Sequence, residues 1–137
     1  MADDIAKILE NGRTGWRQKY PELEACPVRD VIHQISGKWC FLVITTLARR
    51  PHRFGELKRE IYDISQRMLT QTLRDLQYEG IISRQVFPTT PPSVEYRLTP
   101  LGESLLKPLS ALVAWADENH NAIRDARKDF EASADAA

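Results

Sequence analysis

Cysteine is nearly absent from this chain of 137 residues, which has only Cys26 and Cys40. Two cysteines make neither a disulfide framework nor a zinc set. Histidine is almost as scarce, and His33, His52 and His120 stand far apart without ligand spacing, so no metal site and no cofactor are expected. No glycine-rich phosphate loop, paired carboxylates or Ser/His/Asp pattern is present. No catalytic residue can therefore be named, and an enzyme is not expected. Net charge is missing too: 19 Lys and Arg balance 19 Asp and Glu. That argues against a protein that coats nucleic acid or anionic lipid without selectivity. Long hydrophobic runs are lacking; the densest, Trp39 to Leu47, falls far short of the roughly 20 residues needed to span a bilayer. The opening Met-Ala-Asp-Asp is acidic with no apolar stretch after it, so no signal peptide is expected. The expected location is the cytoplasm, with no membrane partner.

The length suits one domain with an arm or tail, and the apolar fraction of 42% is ordinary for a globular protein. Charge is unevenly placed. Residues 49–75 hold seven Lys or Arg against four Asp or Glu, an excess of three, and residues 99–137 hold four against seven, a deficit of three. The basic excess coincides with the most informative stretch, residues 64–76. Ser65 is a good helix N-cap, because its hydroxyl can accept from an unpaired first-turn amide. Gly80 supplies the positive φ that ends many helices. Leu69, Leu73 and Leu76 fall at i, i+4 and i+7 on one stripe. On the opposite side lie Arg67, Thr70, Gln71 and Arg74, with Gln66 beside them. None of these is acidic and all can donate hydrogen bonds, and Arg and Gln pair bidentately with guanine and adenine edges. A solvated helix face has the same look when taken alone, so the surrounding elements decide its meaning.

Along the chain, Ile5, Ile8 and Leu9 suggest a short amphipathic helix ending at Asn11-Gly12, followed by a polar arm over residues 13–24. Pro27 can open a helix whose stripe is Val28, Val31, Ile32 and Ile35. Residues 38–48 are apolar in almost every direction and predict a central core helix. Residues 49–53 break the pattern and leave room for a short edge strand. Phe54, Leu57 and Ile61 then give a small helix joined to the Ser65 helix by Tyr62-Asp63-Ile64, a helix-turn-helix candidate. Residues 81–87 and 93–98 read as two strands around Pro88-Thr89-Thr90-Pro91-Pro92, a hairpin with a stiff tip. Helix-turn-helix followed by a hairpin is the winged-helix order. Thr99-Pro100 starts another helix, with Leu101, Leu105, Leu109, Leu112 and Ala116 as its stripe and Trp115 at the edge. Pro108 is expected to kink or split it, and the Ala/Asp/Ser tail to fray. So much apolar helix surface is most simply buried against a second copy.

These segments resemble the HxlR-type winged-helix transcriptional regulators, relatives of the MarR regulators. The resemblance is carried by Cys26-Pro27-Val28, Gly37-Lys38-Trp39, Arg53-Phe54, Glu56-Leu57 and Ile64-Ser65-Gln66-Arg67-Met68-Leu69-Thr70. It continues in Leu73-Arg74, Leu76, Glu79-Gly80, Arg84, Pro91-Pro92, Val94-Glu95-Tyr96, Leu98-Thr99, Gly102 and Trp115. It runs from about residue 26 to 116 and leaves the first 25 residues outside. It implies a cytoplasmic DNA-binding homodimer whose terminal helices form the interface. By similarity, Ser65, Gln66, Arg67, Thr70, Gln71 and Arg74 face double-stranded DNA. In some members of the family a cysteine in the Cys-Pro-Val segment senses oxidants or electrophiles, and Cys26 stands there. One departure concerns the wing: Ser93 follows the proline pair where a basic residue is common, and Val86 to Glu95 contains no Lys or Arg.

The expected fold class is thus α+β, mostly α: a winged helix-turn-helix DNA-binding domain over residues 26–98, an N-terminal arm or helix over 1–25, and dimerisation helices with a tail over 99–137. Arg53 and Lys58, with Arg50 and Arg59, are expected to touch phosphate, which positions without specifying. Val28, Val31, Ile32, Leu105, Leu109, Leu112 and Trp115 are the expected dimer interface. Cys26 sits before a helix N-terminus with Arg29 near in sequence, which favours the thiolate; the alternative is a small buried apolar residue, the reading preferred for Cys40. Trp39, Phe41, Tyr96 and Trp115 either line an effector pocket or are plain core. The expected function is a homodimeric repressor reading a palindromic operator, responsive to a small molecule or electrophile. The competing class is a winged-helix protein-interaction module without DNA, favoured by the zero net charge and neutral wing. A thiol enzyme built on Cys26 lacks a general base.

Overall fold

The computed structural model describes residues 2–19, 21 and 27–136. α1 (Ala2–Thr14) keeps Ile5, Ile8 and Leu9 on one exposed stripe. It runs past Asn11-Gly12, because one interior glycine costs a helix only about 1 kcal/mol. One further turn, α2 (Trp16–Lys19), stands where a polar arm is expected. α3 (Pro27–Ile35) begins on its proline, whose missing N–H has no partner to lose at that position.

α4 (Lys38–Arg49) buries Cys40, Val43, Ile44 and Leu47, a strict i, i+3, i+4, i+7 stripe. Trp39, Phe41 and Leu42 are only half-buried. The helix is therefore central on one side rather than enclosed all round, since a domain of this size covers one stripe completely. The edge strand β1 (His52–Arg53), α5 (Phe54–Glu60) and α6 (Gln66–Tyr78) follow. Leu57, Ile61, Ile64, Leu69, Leu73 and Leu76 close the core against α4. Each such side chain stabilises the fold by roughly 1.5–3 kcal/mol on burial.

β2 (Ile82–Phe87) and β3 (Ser93–Leu98) form the hairpin, antiparallel from Ile82 opposite Leu98 to Phe87 opposite Ser93. β1 adds to the other edge of β3, His52 opposite Tyr96, so the sheet order is β1-β3-β2. This is the expected winged helix-turn-helix architecture.

Two junctions fix the recognition elements. Ser65 caps α6, its Oγ accepting from Met68 N at 3.0 Å. At the far end Gly80 has φ +75°, Ile81 N donates to Leu76 O at 2.9 Å and Gly80 N to Gln77 O at 3.0 Å. These two bonds satisfy the last carbonyls of α6 and turn the chain into β2. Thr99 then ties the next helix to that turn. Its N–H donates to Ile81 O at 3.0 Å, its hydroxyl donates to Gly80 O, and its Oγ1 accepts from Gly102 N at 3.1 Å. α7 (Pro100–Ala136) continues without a break in its helix through Pro108, correcting the expected split. The chain forms two units, residues up to Gly102 and residues from Glu103. Within the second, Leu112, Val113, Trp115 and Phe130 are exposed.

Candidate nucleic-acid interface

The amphipathic pattern of α6 sends Leu69, Leu73 and Leu76 into the core, which forces Gln66, Arg67, Thr70, Gln71 and Arg74 outward. All five are exposed and together line a shallow cleft of about 470 Å³. Gln71 Nε2 donates to Asp75 Oδ1 at 2.8 Å, and the Thr70 hydroxyl donates to Gln66 O at 2.9 Å. Both short side chains are thereby held close to the helix surface. Arg67 and Arg74 make no ion pair among the described residues. Ser65 is committed to its cap, so its direct part is to hold the N-terminal turn whose free N–H groups point outward.

A second cleft, of about 490 Å³, opens between α6 and the wing and shares Gln66, Thr70 and Arg74 with the first. Its remaining walls are Phe54, Leu73, Gln77, Arg84 and Tyr96. Tyr96 is therefore a buried wall of this cleft, while Trp39 and Phe41 stay half-buried on α4 and Trp115 is exposed. Arg84 and Gln77 were no part of the expected contact set. Strand alternation puts Arg84 on the same side as Ile82 and Val86, but only the tertiary fold shows that this side meets α6.

The cations before α5 are less free than their number suggests. Arg50 Nη2 lies 3.0 Å from Glu56 Oε2 and 3.7 Å from Glu60 Oε1, and Arg49 Nη1 lies 3.7 Å from Glu60 Oε2. His52 is 1% exposed, with Nδ1 2.7 Å from Arg50 O and Nε2 3.0 Å from Glu60 Oε1. The contact with His52 holds the Glu60 carboxyl below its ordinary range, helped by the nearby Arg49 and Arg50 charges. Glu56 is lowered too, first by the Arg53 backbone N–H at 3.0 Å and then by Arg50. Arg50 is thus engaged within the protein, whereas the Arg53 side chain is exposed and Lys58 half-buried. In the wing, Arg97 Nη2 lies 2.8 Å from Glu95 Oε1.

Cys26 lies outside the described residues, as does the side chain of Val28. Cys40 is buried with Sγ donating to Gln34 O at 3.4 Å, and burial, followed by the negative charge of Asp75, pushes its thiol pKa up. Of the expected interface residues, Val31, Ile32, Leu112 and Trp115 are exposed, and Leu105 and Leu109 are half-buried. Among the described residues no group of three His, Cys, Asp or Glu is placed to hold a metal, and no helix is long and apolar enough to cross a membrane.

Comparison with known proteins agrees with this geometry. A family model described as HxlR-like helix-turn-helix matches residues 34–124. The HTH-type transcriptional regulator YtfH of Escherichia coli is 39% identical over 107 residues, which are 76% of this chain and 85% of that protein. Among solved structures, the redox regulator HypR in its reduced form is 34% identical with a TM-score of 0.68, covering 72% of this chain and 98% of that one. The reduced form of the transcriptional regulator YodB from Bacillus subtilis is 37% identical with a TM-score of 0.63, covering 69% and 93%.

Proposed function

The chain belongs to the HxlR-like helix-turn-helix family and is an HTH-type transcriptional regulator; from that premise we propose that it is a homodimeric repressor that reads a palindromic operator with α6. The observation that carries this is the α6 face: Gln66, Arg67, Thr70, Gln71 and Arg74 are exposed together, all able to donate, with Asp75 at the edge engaged by Gln71. Arg67 and Arg74 supply bidentate donors for guanine edges, and Gln66 and Gln71 the amides that suit adenine. Arg53 and Lys58 hold phosphates, and Ser65 sets the entry angle of the helix. Residues 26–98 form the DNA-binding part and residues 99–137 the dimerisation part, in the cytoplasm. Exposed Val31, Ile32, Leu112 and Trp115, with Val28, Leu105 and Leu109, are the surface offered to the second copy. A two-fold dimer places the recognition helices about 34–36 Å apart, so half-sites are centred one turn apart. Repression follows from occupancy of a promoter by so small a protein.

Cys26 is the proposed site of response to oxidants or electrophiles. Support comes from its place before α3 and from the relative described as a redox regulator. The buried Cys40 is unsuited to that role.

Selection from random duplexes tests the proposal. Recovery of a two-fold symmetric sequence, bound by two chains per duplex, is expected. Zero net charge and the neutral wing favour a second reading, a protein-interaction module without DNA. Failure to enrich any duplex would overturn the DNA-reading proposal and leave that reading the stronger one.

A further inference from the structure

We propose that the cleft between α6 and the wing is a seat for one backbone phosphodiester of DNA, clasped between Arg74 and Arg84. Arg84 then replaces the wing tip as the cationic contact of the hairpin. The proposal rests on the DNA-binding function above and names a contact that function does not require.

Four observations lead to it. First, the tip is neutral: from Val86 to Glu95 there is no Lys or Arg, so nothing there can enter a minor groove as a cation. Second, the hairpin has two arginines at its base, and one is spent. Arg97 is paired with Glu95 at 2.8 Å, whereas Arg84, one strand away opposite Tyr96, is exposed and makes no ion pair among the described residues. Third, Arg84 does not face open solvent alone. It shares a cleft of about 490 Å³ with Arg74, and that cleft runs into the base-reading face through Gln66 and Thr70. Fourth, no carboxylate lines this cleft, while Gln77 adds a further amide. Two guanidiniums with amide donors and no acid form a site for an anion, and planar N–H forks match phosphate oxygens. A phosphodiester is the anion that a bound duplex would bring to a cleft continuous with the α6 face. The contact would fix the tilt of α6 in the groove without reading sequence.

The test is the salt dependence of binding to a selected duplex and to a scrambled one, for the wild type, Arg84→Ala, Arg84→Lys and Arg97→Ala. Each phosphate contact contributes about 0.9 to the slope of log affinity against log salt. For Arg84→Ala the slope should flatten by about 1.8, because each of the two copies on the duplex loses one contact. Its deficit should then shrink about 12-fold for each fourfold rise in salt, by a similar factor on both duplexes. Arg84→Lys should restore the slope, and Arg97→Ala, whose charge is already paired, should leave it unchanged. Duplexes carrying one methylphosphonate at each backbone position locate the seat. One position in each half-site should weaken the wild type and cost Arg84→Ala nothing further. An unchanged slope in Arg84→Ala, a loss confined to the selected duplex, or additive losses at every methylphosphonate position would each overturn the proposal. If the wild type itself bound no duplex in a salt-dependent way, the DNA-binding function would fall first, a result separable from failure of the seat.

Discussion

Replacing Gly102 by alanine should destabilise the protein although the site is helical. Alanine is worth about 1 kcal/mol more than glycine inside a helix, so propensity alone predicts a gain. Gly102, however, is buried in the first turn of α7, and a Cβ there would drive into the carbonyl group of Ile81, with Leu98 Cδ2 only 3.2 Å away. That carbonyl cannot yield freely. It accepts from Thr99 N at 3.0 Å and opens β2 immediately after the Gly80 turn, where the Thr99 hydroxyl also donates to Gly80 O. Relief therefore means moving the turn that ends α6 or the first turn of α7, and overpacking of this sort costs roughly 1–3 kcal/mol, less the propensity gain of about 1, which leaves about 2 at the upper end that so close an overlap calls for. A net loss of about 2 kcal/mol would lower Tm by roughly 6–12 °C for a chain of this size. Gly55→Ala is the internal control: it lies in α5, and an added Cβ meets only Arg59 Nη1, at 3.8 Å. Thermal melts of both variants at one protein concentration decide the matter. Gly102→Ala should melt lower and Gly55→Ala at or above the wild type. A Gly102→Ala protein as stable as the wild type would refute the close approach of α7 to the Ile81 carbonyl.

Ser65→Ala removes the cap that accepts from Met68 N and should cost about 1 kcal/mol, with Ser65→Asp retaining most of it; urea midpoints check this. Glu60 and Glu56 titrate below their ordinary value of 4.5 in the folded protein, so the folded state binds fewer protons there than the unfolded one. Their contribution is fully present above about pH 4.5 and is lost as the pH falls through the depressed folded values. Stability of Glu60→Gln should therefore depend less steeply on pH between 5 and 3 than that of the wild type, and parallel curves would count against the His52–Glu60 contact. Cys26→Ser should abolish release of DNA by a mild thiol oxidant, while Cys40→Ser should leave that release intact; oxidant-sensitive binding in Cys26→Ser would remove Cys26 as the sensor.

Much of this fold was readable from local chemistry. The Ser65 cap, the Leu69-Leu73-Leu76 stripe and Gly80 each act within a few residues, so their consequences follow from spacing alone. The same holds for Pro27 and Thr99-Pro100 at helix starts. What escaped depends on contacts between distant segments. Arg50 is drawn back by Glu56 and Glu60 because the chain turns at Pro51 and runs α5 alongside it, so a residue counted as free is engaged. Arg84 gains its significance from the approach of β2 to α6 and from Glu95, which takes Arg97 and leaves Arg84 exposed. Pro108 does not split α7, because its effect is local and the helix-favouring residues on either side carry the helix through it.

The central claim is that α6 reads bases, and fluorescence anisotropy of wild type and Arg67→Ala on the selected duplex and its scrambled counterpart tests it most directly. A bidentate base contact is worth about 1–3 kcal/mol and the dimer loses two, so Arg67→Ala should lose at least about 30-fold on the selected duplex and far less on the scrambled one, the two affinities converging. Arg67→Ala binding the selected duplex as tightly as the wild type, with the same preference over the scrambled sequence, would contradict the account.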